Sequence, residues 1–391
     1  MTVSLRPDTQ GLWLHTRGFG CGLGSGGVSY FRFVKKRRLV ILAEGAFSVL
    51  GSKTATCVVR YRPDEVVAVI DSTNVGRTAS DVLGFGGAVP VVSTLEEALP
   101  YSPDALLIGI APKGGKLPEA WRGFLEAAIS QGLDVYSGMH TFLSDDPELV
   151  RMATQKGVSL IDLRKVPDDL PVARCLAADV SAFVVLTVGT DCGTGKMTVS
   201  LEMALEARRR GLRAHFAATG QTGIYIAGEG IAVDRVVGDF IAGAAEKLVL
   251  DGAGGNDVVF VEGQGSLIHP GYSGVTLALM HGALPDALIL CHQPSRERVG
   301  EYEVKIPPLA EVIRLHDCAA KHVKPSPVVG IALNCFDLSD EDTRSAILEA
   351  EKETGLPATD CVKFGAGKLV DAVVEKMKSG GKVRCAFRSN P

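Results

Sequence analysis

No two cysteines stand at C-x-x-C spacing, although the chain has nine of them, and no His/Cys spacing matches a zinc ligand set. Neither a structural metal nor a disulfide framework is signalled, and a reducing, cytoplasmic setting is the expectation. No run approaches the roughly 20 apolar residues of a membrane span, so no membrane association is expected. An excess of one charge is missing too. Lysine plus arginine number 41 against 45 acids, a formal net charge of -4, which gives no electrostatic case for nucleic acid or an anionic lipid surface. Also missing after the first apolar run is the G-x-G-x-x-G of a dinucleotide fold; "AEGAFSVLGSKTA" stands there instead. NAD is set aside on that ground, and Asp71, at the end of "EVVAVID", reads as an acid capping a turn rather than holding a ribose. Ser52, Lys53 and Thr54 at a helix start, and Arg77 in "STNVGRT", are weak anion signals only.

What is present is length, apolar residues and glycine. The 391 residues are 46% hydrophobic with 45 glycines, enough for two compact, loop-rich α/β domains. Residues 1–36 are glycine-rich, then basic ("GFGCGLGSGGVSYFRFVKKRR"), and are expected to be a disordered extension without a signal-peptide core. From residue 37 to 165, "LVILAEG", "EVVAVID", "DALLIGIAP", "LDVYSGMH" and "VSLIDLR" read as buried strands alternating with helices. That pattern predicts a Rossmann-like parallel sheet covered on both faces. The linker "RKVPDDLPVARC" separates it from a second α/β domain over 166–378, with strands in "AFVVLTV", "RAHFAAT", "DVVFVEG", "DALILCH" and "PVVGIALN"; residues 379–391 read as a solvated tail. The fold class is thus two doubly wound parallel-sheet domains, Rossmann-like and P-loop NTPase-like.

The second domain opens with "TVGTDCGTGKMTVS". Gly189, Thr190, Asp191, Cys192, Gly193, Thr194, Gly195 and Lys196 read G-x5-G-K, one residue longer than the usual phosphate-binding loop. Strand, loop and helix follow in the required order. Glycines let backbone N–H groups turn inward, the helix adds its positive end, and Lys196 adds a point charge. Met197 stands where hydrolysing loops place a hydroxyl for Mg²⁺, and a thioether suits a hard cation poorly. Thr198 comes one residue later, turned about 100° round the helix. A diphosphate cradle with no dedicated metal site is the reading.

Three further segments follow strands and should reach the same sheet edge. "ATGQTGIYIAGEGIAVD" brings Gln221. "VVFVEGQGSLIHPGYSG" brings Glu262, Gln264, Ser266, His269, Tyr272 and Ser273. "CHQPSRERVGEYE" brings His292, Arg296 and Arg298. Glu262 reads as a general base or metal-positioning acid, or as a structural partner of Lys196. His269 reads as a base or as a hydrogen-bonded loop histidine. Arg296 and Arg298 read as a clamp for a dicarboxylate or as solvated arginines. His140 and His281 carry no specific signal.

At these residues two resemblances emerge. "GTDCGTGK" with "VEGQGS" resembles dethiobiotin synthetase, a P-loop ligase with the same long spacing, except that its lysine is followed by Thr. Nearly the whole chain from Arg38 resembles a formerly uncharacterised prokaryotic family with a Rossmann-like N-terminal and a P-loop C-terminal domain. The strings "GTDCGTGKMT", "TGQTGIYIAGEGIAVDRVVGDFIAGAAE", "EGQGSLIHPGYSGV" and "ETGLPATDCVKFG" carry it. The resemblance implies acetyl transfer from acetyl-CoA to D-glutamate in D-amino acid catabolism. Glu262 or His269 would then serve as base with Lys196 beside them, N–H groups of residues 263–266 as oxyanion donors, and Arg296 or Arg298 as clamp. The runner-up is an ATP- and Mg²⁺-dependent ligase or kinase. Behind it stand a nucleotide sensor without turnover and an NAD-dependent enzyme. A small-molecule substrate and a homo-oligomer are the remaining expectations.

Overall fold

The computed structural model describes residues 36–110 and 115–380. The expected extension 1–36 and tail 379–391 lie outside them, apart from Lys36, Ser379 and Gly380. Among the described residues no helix is long and apolar enough to cross a membrane. The chain forms two compact units, one of residues up to 165 with Ile224–Arg235, the other of Val166–Gly223 with Val236 onward.

In the first unit the apolar runs become β1 (Leu39–Leu42), β2 (Val66–Ile70), β3 (Val91–Val92), β4 (Ala105–Ile108), β5 (Asp134–Ser137) and β6 (Leu160–Asp162). Their order is β3-β2-β1-β4-β5-β6, and each pairing is parallel. This is the strand order of a dinucleotide-binding fold. The β1 residues Leu39–Leu42 are all fully buried, because helices cover both faces of a parallel sheet. Asp71 is also fully buried. Its carboxylate accepts the N–H groups of Gly45 at 3.0 Å, Phe47 at 3.1 Å and Thr73 at 3.0 Å, and the Asn74 amide at 2.8 Å. Burial alone would raise its pKa; the bonds from Asn74, Thr73 and Gly45 outweigh it and hold the group below the usual carboxylate range. The acid closes the loop after β1, as a capping residue does.

The second unit holds β7 (Phe183–Gly189), β8 (Ala214–Ala217), β9 (Val258–Val261), β10 (Ala287–His292), β11 (Val328–Leu333) and β12 (Ala358–Thr359). The order is β12-β11-β10-β7-β9-β8, again parallel throughout. The first strand of the unit therefore lies inside the sheet, between β10 and β9. From it the chain runs to the edge strand β8, returns to β9 beside β7, and then passes to β10 on the other side and outward to β12. The loops after β7, β9 and β10 therefore meet at one switch point.

Candidate functional site

All seven residues of β7 are buried, and the strand ends on Gly189. The loop then turns on Gly193 (φ 70°) and Gly195 (φ 96°), a left-handed region that costs glycine no Cβ clash. The helix Lys196–Arg209 starts at once. Lys196 is 6% exposed, and its Nζ bends back to donate to the Asp191 carbonyl at 2.7 Å. The Thr194 hydroxyl donates to the same carbonyl at 3.2 Å. Beneath the loop, the Thr187 hydroxyl lies 3.0 Å from that of Ser200 and accepts the Gly263 N–H at 2.9 Å. A Cβ on Gly263 would come 1.7 Å from the Thr187 carbonyl oxygen, so glycine lets the loop after β9 lie directly against the strand carrying the phosphate loop.

Asp191 organises the outer side. Its side chain is fully buried. One carboxylate oxygen accepts the Cys192 N–H at 2.6 Å. The other accepts Arg296 Nη1 and the Gly300 N–H, each at 2.7 Å. Arg296 also donates to the Cys192 carbonyl at 2.6 Å and to Gln293 at 2.7 Å. The stretch after β10 is thereby tied to the phosphate loop through a charge-assisted pair. Arg298 is not part of it; it is exposed and paired with Glu303 at 2.5 Å.

His269 lies on the other flank of Asp191, 4.0 Å from its carboxylate and 5% exposed. The ring sits between two exposed tyrosines, Tyr272 at 4.6 Å and Tyr302 at 5.2 Å between ring centres. Its Nδ1 accepts the Gly271 N–H at 3.0 Å. Asp191, Cys192 and His269 bring a carboxylate oxygen, a thiol sulfur and a ring nitrogen within 4.8 Å of one another. Their chemistry does not suit a cation. Gly271 occupies the lone pair of Nδ1, which leaves the proton of a neutral ring on Nε2, and a metal ligand needs a lone pair there. The Arg296 guanidinium already neutralises Asp191. Met197 is 2% exposed and offers no oxygen to Mg²⁺, while Thr198 is half-buried on the next face.

Glu262, at the end of β9, is 2% exposed. Its Oε2 accepts the N–H groups of Thr219 at 2.9 Å and Gly220 at 3.1 Å, just before the helix Gln221–Ala227 that opens with half-buried Gln221. Gln264 donates to Thr219 Oγ1 at 3.1 Å and to Glu262 at 3.3 Å, which spends its amide on the protein. Ser266 is buried within its own turn, where its carbonyl accepts the His269 N–H at 3.0 Å. Ser273 begins the helix Ser273–Ala283 beside exposed Tyr272.

The Thr190 hydroxyl lies 3.0 Å from His292 Nδ1, whose pKa burial first, and Arg296 second, push down to about 4. His281 is bonded to the Ala319 carbonyl at 3.0 Å, and His140 stands 3.8 Å from Asp234 in the first unit. Sequence reading missed Thr219 and Gly300. Gly300 acts through its backbone N–H, which every residue but proline supplies. Thr219 acts through its N–H and through a hydroxyl that donates to the Glu262 carbonyl at 2.8 Å, a partner 43 residues away.

Residues 171–370 match a family described as a domain of unknown function, DUF1611, P-loop domain. Residues 72–166 match its Rossmann-like N-terminal domain. The chain is 39% identical over 338 residues to a D-glutamate N-acetyltransferase of Tritonibacter scottomollicae, covering 83% of this chain and 95% of that protein. A second D-glutamate N-acetyltransferase, of a Pseudoalteromonas species, is 35% identical over 276 residues, 70% of this chain and 82% of that protein. The crystal structure of a DUF1611 family protein from Anabaena variabilis superposes with a TM-score of 0.83 at 42% identity, covering 87% of this chain and 99% of that one.

Proposed function

The chain belongs to the DUF1611 family, and from that premise we propose that it is an N-acetyltransferase, moving acetyl from acetyl-CoA to the amino group of D-glutamate. The observation that carries the reading is the match across 95% of the Tritonibacter scottomollicae enzyme, which spans both domain types rather than a shared loop. The site is compatible with the coenzyme. The glycine-built turn, the start of the helix Lys196–Arg209 and Lys196 itself suit a diphosphate. Met197 removes the hydroxyl that γ-phosphate chemistry needs.

In the reaction the acceptor's ammonium loses a proton before its nitrogen attacks the thioester carbon. The tetrahedral carbon expels coenzyme A as thiolate. A second N–H proton leaves as the amide forms, matching the one the thiolate takes up. With the diphosphate in the loop, the long pantetheine arm carries the thioester away from it. On this reading Lys196, Arg296 and His269 are binding residues, Glu262 supports the fold, and proton acceptance lies at arm's length from the cradle.

The full-length chain should release coenzyme A thiol from acetyl-CoA when D-glutamate is added, with N-acetyl-D-glutamate as product, and much less with L-glutamate. Coenzyme A at a hundredfold excess over Kd should stabilise the fold by about 2.7 kcal/mol. Mg²⁺-dependent ADP release with a small carboxylate, and no thiol release, would replace this reading with the ligase one.

A further inference from the structure

The candidate base His269 is wired the wrong way round for a base. Gly271 donates its backbone N–H to Nδ1 at 3.0 Å. A neutral imidazole has one donor and one acceptor nitrogen, so the proton sits on Nε2. Turning the ring over would put Cδ2, not Nε2, against Gly271 and leave that N–H without its acceptor; Tyr272 packs on the present orientation at 4.6 Å and Tyr302 edge-on at 5.2 Å. To accept a proton at Nδ1 it would have to set N–H against the Gly271 N–H. The free donor, Nε2–H, is aimed at the phosphate-loop side. There Asp191 Oδ1 stands 4.0 Å away, beyond hydrogen-bond length, on a ring that is 5% exposed. Among the described residues no acceptor stands at bonding distance of this N–H, and the nitrogen is not sealed from solvent, so it can donate to a ligand that enters the site. Of the charged and titratable groups facing it, Asp191 and Cys192 come from the phosphate loop, and Tyr272 from its own loop. Tyr302, and Arg296 through Asp191, come from the stretch after β10. Asp191 is already spent on Arg296, Gly300 and Cys192.

We propose that His269 is a fixed-tautomer hydrogen-bond donor that positions a phosphate oxygen of the coenzyme against the phosphate loop, and that it takes no proton in the reaction. This rests on the acetyl-CoA reading of the loop. Binding of coenzyme A to the full-length protein, measured by titration calorimetry without turnover, gives the first test. His269→Ala should weaken binding about tenfold or more, the scale of one charge-assisted hydrogen bond. His269→Gln, whose amide N–H reaches the place of Nε2, should restore most of it, and His269→Asn should not. In turnover, KM for acetyl-CoA should rise with kcat held within about threefold. KM for the truncated donor S-acetylpantetheine, which lacks the phosphates, should not move.

A large fall in kcat that His269→Gln leaves unrepaired, with a limb of the pH–rate profile lost, would make His269 the base and overturn the proposal. A rise in KM for D-glutamate alone would also overturn it, by moving the donor to the acceptor's carboxylate. Failure of the underlying reading looks different: the unmodified protein would then neither bind coenzyme A nor release it from acetyl-CoA.

Discussion

Glu262 illustrates how far a single residue can be read without its fold. An acid closing an apolar run and followed by Gly-Gln-Gly is visible in sequence as a strand-end carboxylate. The N–H groups it accepts are not, because Thr219 and Gly220 lie 43 and 42 residues away. The same holds for Asp191, whose partners Arg296 and Gly300 are 105 and 109 residues off. The Gly-Lys loop was legible because its chemistry is local. Glu262→Gln keeps size but turns one acceptor into a donor, facing either two backbone N–H groups or the Gln264 amide. It should lower stability by about 1–3 kcal/mol, read as a fall in the denaturation midpoint. General acid–base catalysis contributes about a hundredfold or more. Unchanged stability with a turnover loss of that size would show that Glu262 does chemistry instead.

The same limit operates on whole elements. The long buried runs announced ten of the strands, whereas β3 (Val91–Val92) and β12 (Ala358–Thr359) are two residues each, too short to show a period. The glycine-rich stretch after β8 was expected to serve the phosphate-loop edge, but Ile224–Arg235 belongs to the first unit. Tyr225 is 3% exposed and stands edge-on to Tyr136 at 5.3 Å between ring centres. Arg62 donates to the Ile226 carbonyl at 3.0 Å, and Arg164 pairs with Asp234. Apolar pattern alone does not say which of two cores will take such a segment. Tyr225→Ala should cost about 3 kcal/mol or more, and Tyr225→Phe less. Limited proteolysis and hydrogen exchange should show the opening at Ile224–Arg235 and at β5 (Asp134–Ser137) together. Loosening of the segment with β5 still protected would mean that it does not share the first unit's core.

For the molecule as a whole, two histidines of the second unit make stability fall on acidification. Burial first, and then Arg296, push His292 from 6.5 down to about 4. Burial does the same to His316, from 6.5 to about 4, and Lys196 adds to it. His316 is fully buried on the helix Leu309–Ala320, with Nδ1 bonded to the Val312 carbonyl at 2.8 Å. Both folded-state values lie below the unfolded one, so the unfolded chain binds protons first as the solution is acidified. Their contribution is whole above about pH 6.5, falls away from there to about pH 4, and is spent below that. Each ring then costs about 3 kcal/mol by pH 4, with a slope approaching 1.4 kcal/mol per pH unit per proton inside the window. Denaturant unfolding from pH 7 to 4, following the transition that coenzyme A protects, should therefore show uptake of about two protons near pH 5. His316→Leu, apolar and of similar volume, should halve that slope, whatever it does to stability at pH 7. A stability that stays level across the window would mean both rings are charged while folded. The neutral Thr190–His292 contact beside the phosphate loop would then have to be redrawn, with His292 as a cation next to Arg296.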